Sequence, residues 1–178
     1  MEEPEVPTEH LHESIEEKVE ELGKEAGKKG WSILVAVSTA IMAVLAAVSS
    51  LQAGHHSNEA MIAQIKASDQ WAFYQAKGIK AAITENMLLN KPADSAKLND
   101  KLAKYKSDQD EISKEAKEDE SESAKDLNIY KILAEAVTFF QISIAISAIS
   151  MLTQKKFLWY IALALTLFGA FHFIMGNM

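Results

Sequence analysis

A chain of 178 residues with a formal net charge of -7, no cysteine and 18 basic residues that are all lysine excludes several chemistries at once. Without thiols there are no disulfides or thiolate metal sites, and without arginine there is no planar fork for bidentate phosphate recognition. The acidic balance also argues against nucleic acid as a partner.

Apolar residues gather in three blocks, 31–53, 132–153 and 157–175, while the rest is rich in Glu, Asp, Lys, Ser and Ala. Blocks of about 20 residues are the length that crosses roughly 30 Å of hydrocarbon as helix. The expected fold class is therefore all-α, with three transmembrane helices. Between the first and second stands a long extramembrane antiparallel helical hairpin, coiled-coil-like in pattern.

In chain order, residues 1–30 form an acidic polar tail with ten glutamates against Lys18, Lys24, Lys28 and Lys29. From Thr8 the spacing predicts a helix with Leu11, Ile15, Val19 and Leu22 on one face, weakened by Gly23, Gly27 and Gly30. The long acidic front distinguishes span 31–53 from a cleaved signal peptide. Its small residues Ser32, Ala36, Ala40, Ala43, Ala47, Ser50 and Gly54 recur at steps of four and three. Such a stripe lets another helix approach closely in lipid.

The segment 54–131 is strongly helix-prone, with one firm break at Asn90-Lys91-Pro92, where proline ends a helix. A turn at 90–94, followed by Asp94 and Ser95 as caps, leaves two arms of about 36 residues, roughly 54 Å each at helical rise. Leu98, Leu102, Tyr105, Gln109, Ile112 and Ala116 form a heptad-like row on the second arm. Leu127, Tyr130, Ala134 and Val137 resume it after the charged run K-E-D-E-S-E-S, which is expected to be the loosest part. Ile62, Ile65, Ala72, Ala76, Ile79 and Ile83 form the facing row on the first arm, and two such rows pack as an antiparallel coiled coil. Trp71 and Tyr74, with Gly78 and Ala81 continuing their face, are then left over as an interaction surface for another protomer.

Span 132–153 carries Ser143, Ser147 and Ser150 on one face, suited to dock on the small-residue stripe of the first span. Gln141 and Thr138 are expected to be interhelical hydrogen bonders. A short turn, Gln154-Lys155-Lys156, leads to span 157–175, which opens with interfacial aromatics Phe157-Leu158-Trp159-Tyr160. Two crossings separate Lys24, Lys28 and Lys29 from Lys155 and Lys156, so both clusters face one side. The positive-inside rule places that side in the cytoplasm and the hairpin outside it.

The same parity puts His55, His56, Glu135 and His172 at similar depth near one leaflet. Imidazoles with a carboxylate can hold zinc or copper, but no spacing here matches a dedicated site, and pairing of Glu135 with His172 is the expected structural role. His10 and His12 in the tail diverge on a helix and form a weaker candidate. No cofactor motif and no arrangement of nucleophile and base is present in the sequence.

The stretches P-T-E-H-L-H-E (7–13), L-Q-A-G-H-H-S-N-E-A (51–60) and I-K-A-S-D-Q-W-A-F-Y-Q-A-K-G-I-K (65–80) resemble the bacterial family called domain of unknown function 4337. The resemblance implies a bacterial membrane setting and spans flanking a helical segment, and it assigns no activity. The functional expectation is a non-enzymatic structural or interaction protein of the bacterial cytoplasmic membrane. Its partners would be the lipid bilayer and further copies of itself as a homo-oligomer, with another membrane protein as a further candidate. The alternative is a subunit of an oligomeric channel or transporter whose path is lined by Gln141, Ser143, Ser147 and Ser150.

Overall fold

The computed structural model describes the backbone of residues 8–90 and 95–178, with side chains from Gly30 onward. Nearly all of that length lies in three helices: α1 (Thr8–Asn90), α2 (Ser95–Thr153) and α3 (Lys156–Gly176). No strand occurs among the described residues, and the fold class is all-α. Each helix holds a stretch long and apolar enough to cross a membrane.

Helix α1 runs unbroken through Gly23, Gly27 and Gly30. Each glycine costs a helix about 1 kcal/mol relative to alanine, too little to stop propagation once a long helix has nucleated. At its end the Asn90 amide donates to the Asn86 carbonyl at 2.9 Å. Residues 91–94, on which the expected turn falls, lie outside the described residues. So do the side chains of Leu11, Ile15, Val19 and Leu22, and those of His10 and His12.

The join between α2 and α3 is built locally. Gln154 takes a left-handed conformation, φ 56°, which reverses the chain as a helix C-terminal cap does. The Ser150 hydroxyl then donates to the Lys155 carbonyl at 2.9 Å, and the Leu158 amide donates to the same carbonyl at 3.2 Å.

Packing divides the chain into two units. One comprises the described residues up to Ala47 together with Val137–Ala170. Its interior holds Val35 and Met42 from α1, Phe140, Ser143, Ser147 and Ser150 from α2, and Ala162 from α3. The Trp159 indole donates to Ser38 Oγ at 3.0 Å, and the Ser147 hydroxyl lies 3.9 Å from Met42 Sδ. Gly169 lets α3 lie close against α2, since a Cβ there would stand 3.0 Å from Phe140 Cε1 and 3.2 Å from Phe139 Cβ. The unit's exterior is largely apolar as well: Leu34, Val37, Ile41, Val44, Ile149 and Leu167 are exposed.

The other unit comprises Val48–Ala136 with Phe171–Met178. On α1 its interior face runs Ala53, Ala60, Ala63, Ala67, Ala81 and Thr84, with His56, Tyr74 and Lys77 half-buried between them. With half-buried Gln70 these positions step by three and four, the seven-residue repeat of a helix pressed against another. On α2 the partners are Ile112, Ala116, Ser123, Leu133 and Ala136, all buried. Contacts pair rising α1 numbers with falling α2 numbers: His56 with Asp126, Ala60 with Ser123, Gln70 with Glu115, Lys77 with Asp108. The two stretches therefore run in opposite directions. Alanine at most α1 contact positions is what permits a serine hydroxyl on α2 to reach the α1 backbone.

Candidate interaction surface

The face of α1 that meets α2 is not the isoleucine row that the sequence suggests. Ile62, Ile65, Ile79 and Ile83 are all at least 47% exposed, and Ala72 and Ala76 beside them are exposed as well. The alanine row occupies the contact instead. Bulk explains the exchange: Ala60, Ala63 and Ala67 let the helices approach closely, whereas isoleucines would hold them apart.

The aromatic group also contacts α2 of the same chain. Trp71 and Tyr74, expected to face a second protomer, are half-buried and turned toward α2. The Trp71 indole donates to Glu120 at 2.8 Å and meets the Tyr74 ring edge-on, with centroids 5.5 Å apart. The Gln109 amide donates to the Tyr74 carbonyl at 3.3 Å, and a Cβ on Gly78 would stand 2.9 Å from that same amide nitrogen. Lys77 pairs with Asp108 and lies over the Phe73 and Tyr105 rings, 5.2 and 5.7 Å from their centroids. Such cation–π contacts add to an ion pair that is largely shielded from water.

The charged run is also tighter than its composition suggests. Ser123 is buried and its hydroxyl donates to the Ala60 carbonyl at 2.8 Å. The row of α2 keeps its seven-residue step from Ile112 through Asp119 to Asp126 and Leu133, and of the expected continuation Tyr130, Ala134 and Val137 are half-buried. Leu127 is exposed, while Asp119 and Asp126 are half-buried. Asp126 takes His56 as its partner, with Nδ1 2.8 Å from Oδ1.

The four residues weighed as metal ligands are divided among separate contacts. His55 is exposed and meets His56 only edge-to-ring at 5.4 Å. His56 faces Asp126, and His172 Nε2 lies 3.3 Å from Glu135 Oε2. No group of three or more histidine, aspartate or glutamate residues able to hold a metal ion occurs among the described residues.

The small-residue stripe of the first span, expected to receive the serine face of α2, lies largely outward. Ala36, Ala40, Ala43, Ala47, Ser50 and Gly54 are exposed and Ser32 is intermediate, whereas Trp31, Val35, Met42 and Ala46 are buried. The serine face of α2, with Ser143, Ser147 and Ser150 fully buried, therefore meets the Met42 side of α1. Ser143 bonds back to the Phe139 carbonyl at 2.8 Å.

The isoleucine row lies outward in the second unit. A shallow groove lined by Ile79, Ala82, Ile83, Asn86 and Met87 runs along it. The row repeats at three and four residues from Ile62 to Ile83, interrupted by one acid, Asp69, and edged by Lys66 and Lys80. The row lies on the side of α1 opposite its contact with α2.

A family model described as a domain of unknown function, DUF4337, matches residues 31–178. The chain belongs to the DUF4337 family. No curated protein and no solved structure matches it. The DUF4337 match takes in all three apolar blocks and both stretches of the paired seam, so the surfaces described above lie within the family's domain.

Proposed function

We propose that this DUF4337 chain is a non-enzymatic, membrane-anchored structural and interaction protein of the bacterial cytoplasmic membrane that associates with further copies of itself. In this reading residues 31–53, 132–153 and 157–175 span the bilayer. Residues 54–131 form an extramembrane antiparallel coiled-coil hairpin, and residues 1–30 lie on the cytoplasmic side with Lys155 and Lys156.

The observation that carries the membrane assignment is the inverted packing of the first unit. Three buried serines lie inside while Leu34, Val37, Ile41 and Val44 face outward. Water would favour the opposite arrangement, whereas lipid makes small polar residues the useful ones between helices. The outward isoleucine row supports self-association. It carries both signs of charge, Asp69 on the row and Lys66 and Lys80 beside it, so a second copy of the same row can supply the counter-charge that each needs. A heptad of isoleucine and alanine is also a pattern that pairs with its own kind.

A channel path would require Ser143, Ser147 and Ser150 to face an open axis. They are instead buried against the chain's own helices and turn. The reading is tested by alkaline carbonate extraction of membranes containing the full chain, followed by mass measurement in mild detergent. Retention in the membrane pellet and a mass of more than one copy are expected. Release into the supernatant, or a mass of one copy at all concentrations, contradicts it.

A further inference from the structure

The outward face of α2 within its apolar stretch carries Gln141, which is exposed. No polar group among the described residues pairs with its carboxamide. It stands nine residues after Ile132 and twelve before Thr153, about 14 and 18 Å of helix from the two ends. A glutamine side chain cannot reach headgroup water across that distance. In hydrocarbon an amide without a partner is costly, and polar side chains in spans accordingly turn toward other protein.

The surroundings of Gln141 suit a close neighbour. Thr138, Ala145 and Ala148 share its exposed face at steps of three, four and three, so the backbone of another helix can come near. A carboxamide both donates and accepts. Two glutamines related by a two-fold axis therefore satisfy each other, in the self-complementary manner of an isologous contact.

We propose that two copies of this chain meet along Thr138, Gln141, Ala145 and Ala148, with Gln141 hydrogen-bonded to the partner's Gln141. This rests on the membrane reading above, and it locates within the bilayer a contact separate from the isoleucine row.

The chain contains no cysteine, so single cysteines report cleanly. Purified full-length chain in phosphatidylcholine vesicles leaves only a second copy available as partner. Ala145→Cys should form a disulfide-linked dimer on mild oxidation. Leu167→Cys on α3, 73% exposed on a different helix, should give only collisional background. Adding Gln141→Leu should weaken the dimer measured by dilution in lipid about three- to tenfold, the range for one interhelical hydrogen bond, whereas Gln141→Asn should largely preserve it.

Equal linking at positions 145 and 167, in vesicles that retain the chain through carbonate, would overturn the proposal while leaving the membrane reading intact. An unchanged dimer in Gln141→Leu would overturn it as well. Loss of the chain from the vesicles in carbonate would defeat the membrane reading, and this contact with it.

Discussion

Ser123 donates a 2.8 Å hydrogen bond to the backbone carbonyl of Ala60, across 63 residues of sequence. Such a bond requires helix backbones in close approach, and the alanine row of α1 provides the space. Ser123→Ala should lower stability by about 1 kcal/mol, the usual worth of one such bond. Ser123→Leu, which must also force the helices apart, should cost a further 1–3 kcal/mol or so. Thermal unfolding in detergent, followed by helical circular dichroism, checks the order wild type, Ala, Leu.

The two faces of α1 predict opposite outcomes for two substitutions on one helix. Ala67 is fully buried and Ile79 is 62% exposed. Ala67→Leu should destabilise the chain by roughly 1–3 kcal/mol through overpacking. Ile79→Lys should leave the melting transition within about 0.5 kcal/mol of wild type yet reduce the mass of the assembly in mild detergent. If Ile79→Lys destabilised and Ala67→Leu did not, the faces would have been assigned the wrong way round.

Two glycines differ in what surrounds them. At Gly169 a new methyl meets the fully buried Phe140 ring at 3.0 Å, whereas at Gly78 it meets only the flexible end of Gln109 at 2.9 Å. Gly169→Ala should therefore cost about 1–3 kcal/mol. Gly78→Ala should be near neutral, because a helix gain of about 1 kcal/mol offsets the displaced Gln109 amide. Parallel melting curves of the two variants decide this.

Gln154 holds a left-handed backbone at φ 56°, a conformation that costs a non-glycine residue about 1–2 kcal/mol. Gln154→Gly should raise stability by up to about 1 kcal/mol after the entropy of the freer unfolded chain is subtracted. Gln154→Val should lower it, since a β-branched side chain fits that region poorly. The test is whether the melting temperatures rank Gly above Gln above Val.

How much of this could be read from residues alone follows from their chemistry. The helical class and the three apolar blocks are written in composition. The row from Leu98 to Ala116 stands out because Leu98, Leu102, Tyr105 and Ile112 are larger and less polar than their neighbours. The α1 face was misjudged because a search for bulk selects Ile62, Ile65, Ile79 and Ile83, while close packing selects Ala60, Ala63 and Ala67. Trp71 and Tyr74 were assigned to the face left over, and both also contact α2 of the same chain. The His56–Asp126 contact escaped because both residues are polar; continuing the seven-residue step from Ile112 through Asp119 would have reached Asp126. The exposed stripe Ala36, Ala40, Ala43 and Ala47 shows the converse limit. Small residues are compatible with both lipid and a helix neighbour, and spacing cannot tell which side Val35 and Met42 will take.

On the membrane reading proposed above, lipid, not water, surrounds the outward apolar side of the first unit while its serines face inward. The most direct measurement attaches a spin label to single cysteines at Ile41, Val44, Ser143 and Ser147 in vesicles and compares collision with oxygen and with a water-soluble nickel complex. The account predicts frequent oxygen collisions and few nickel collisions at Ile41 and Val44, with both reagents largely excluded at Ser143 and Ser147. High nickel accessibility at Ile41 and Val44 would place that surface in water, and high nickel accessibility at the serines would open a path where the account has a packed interior.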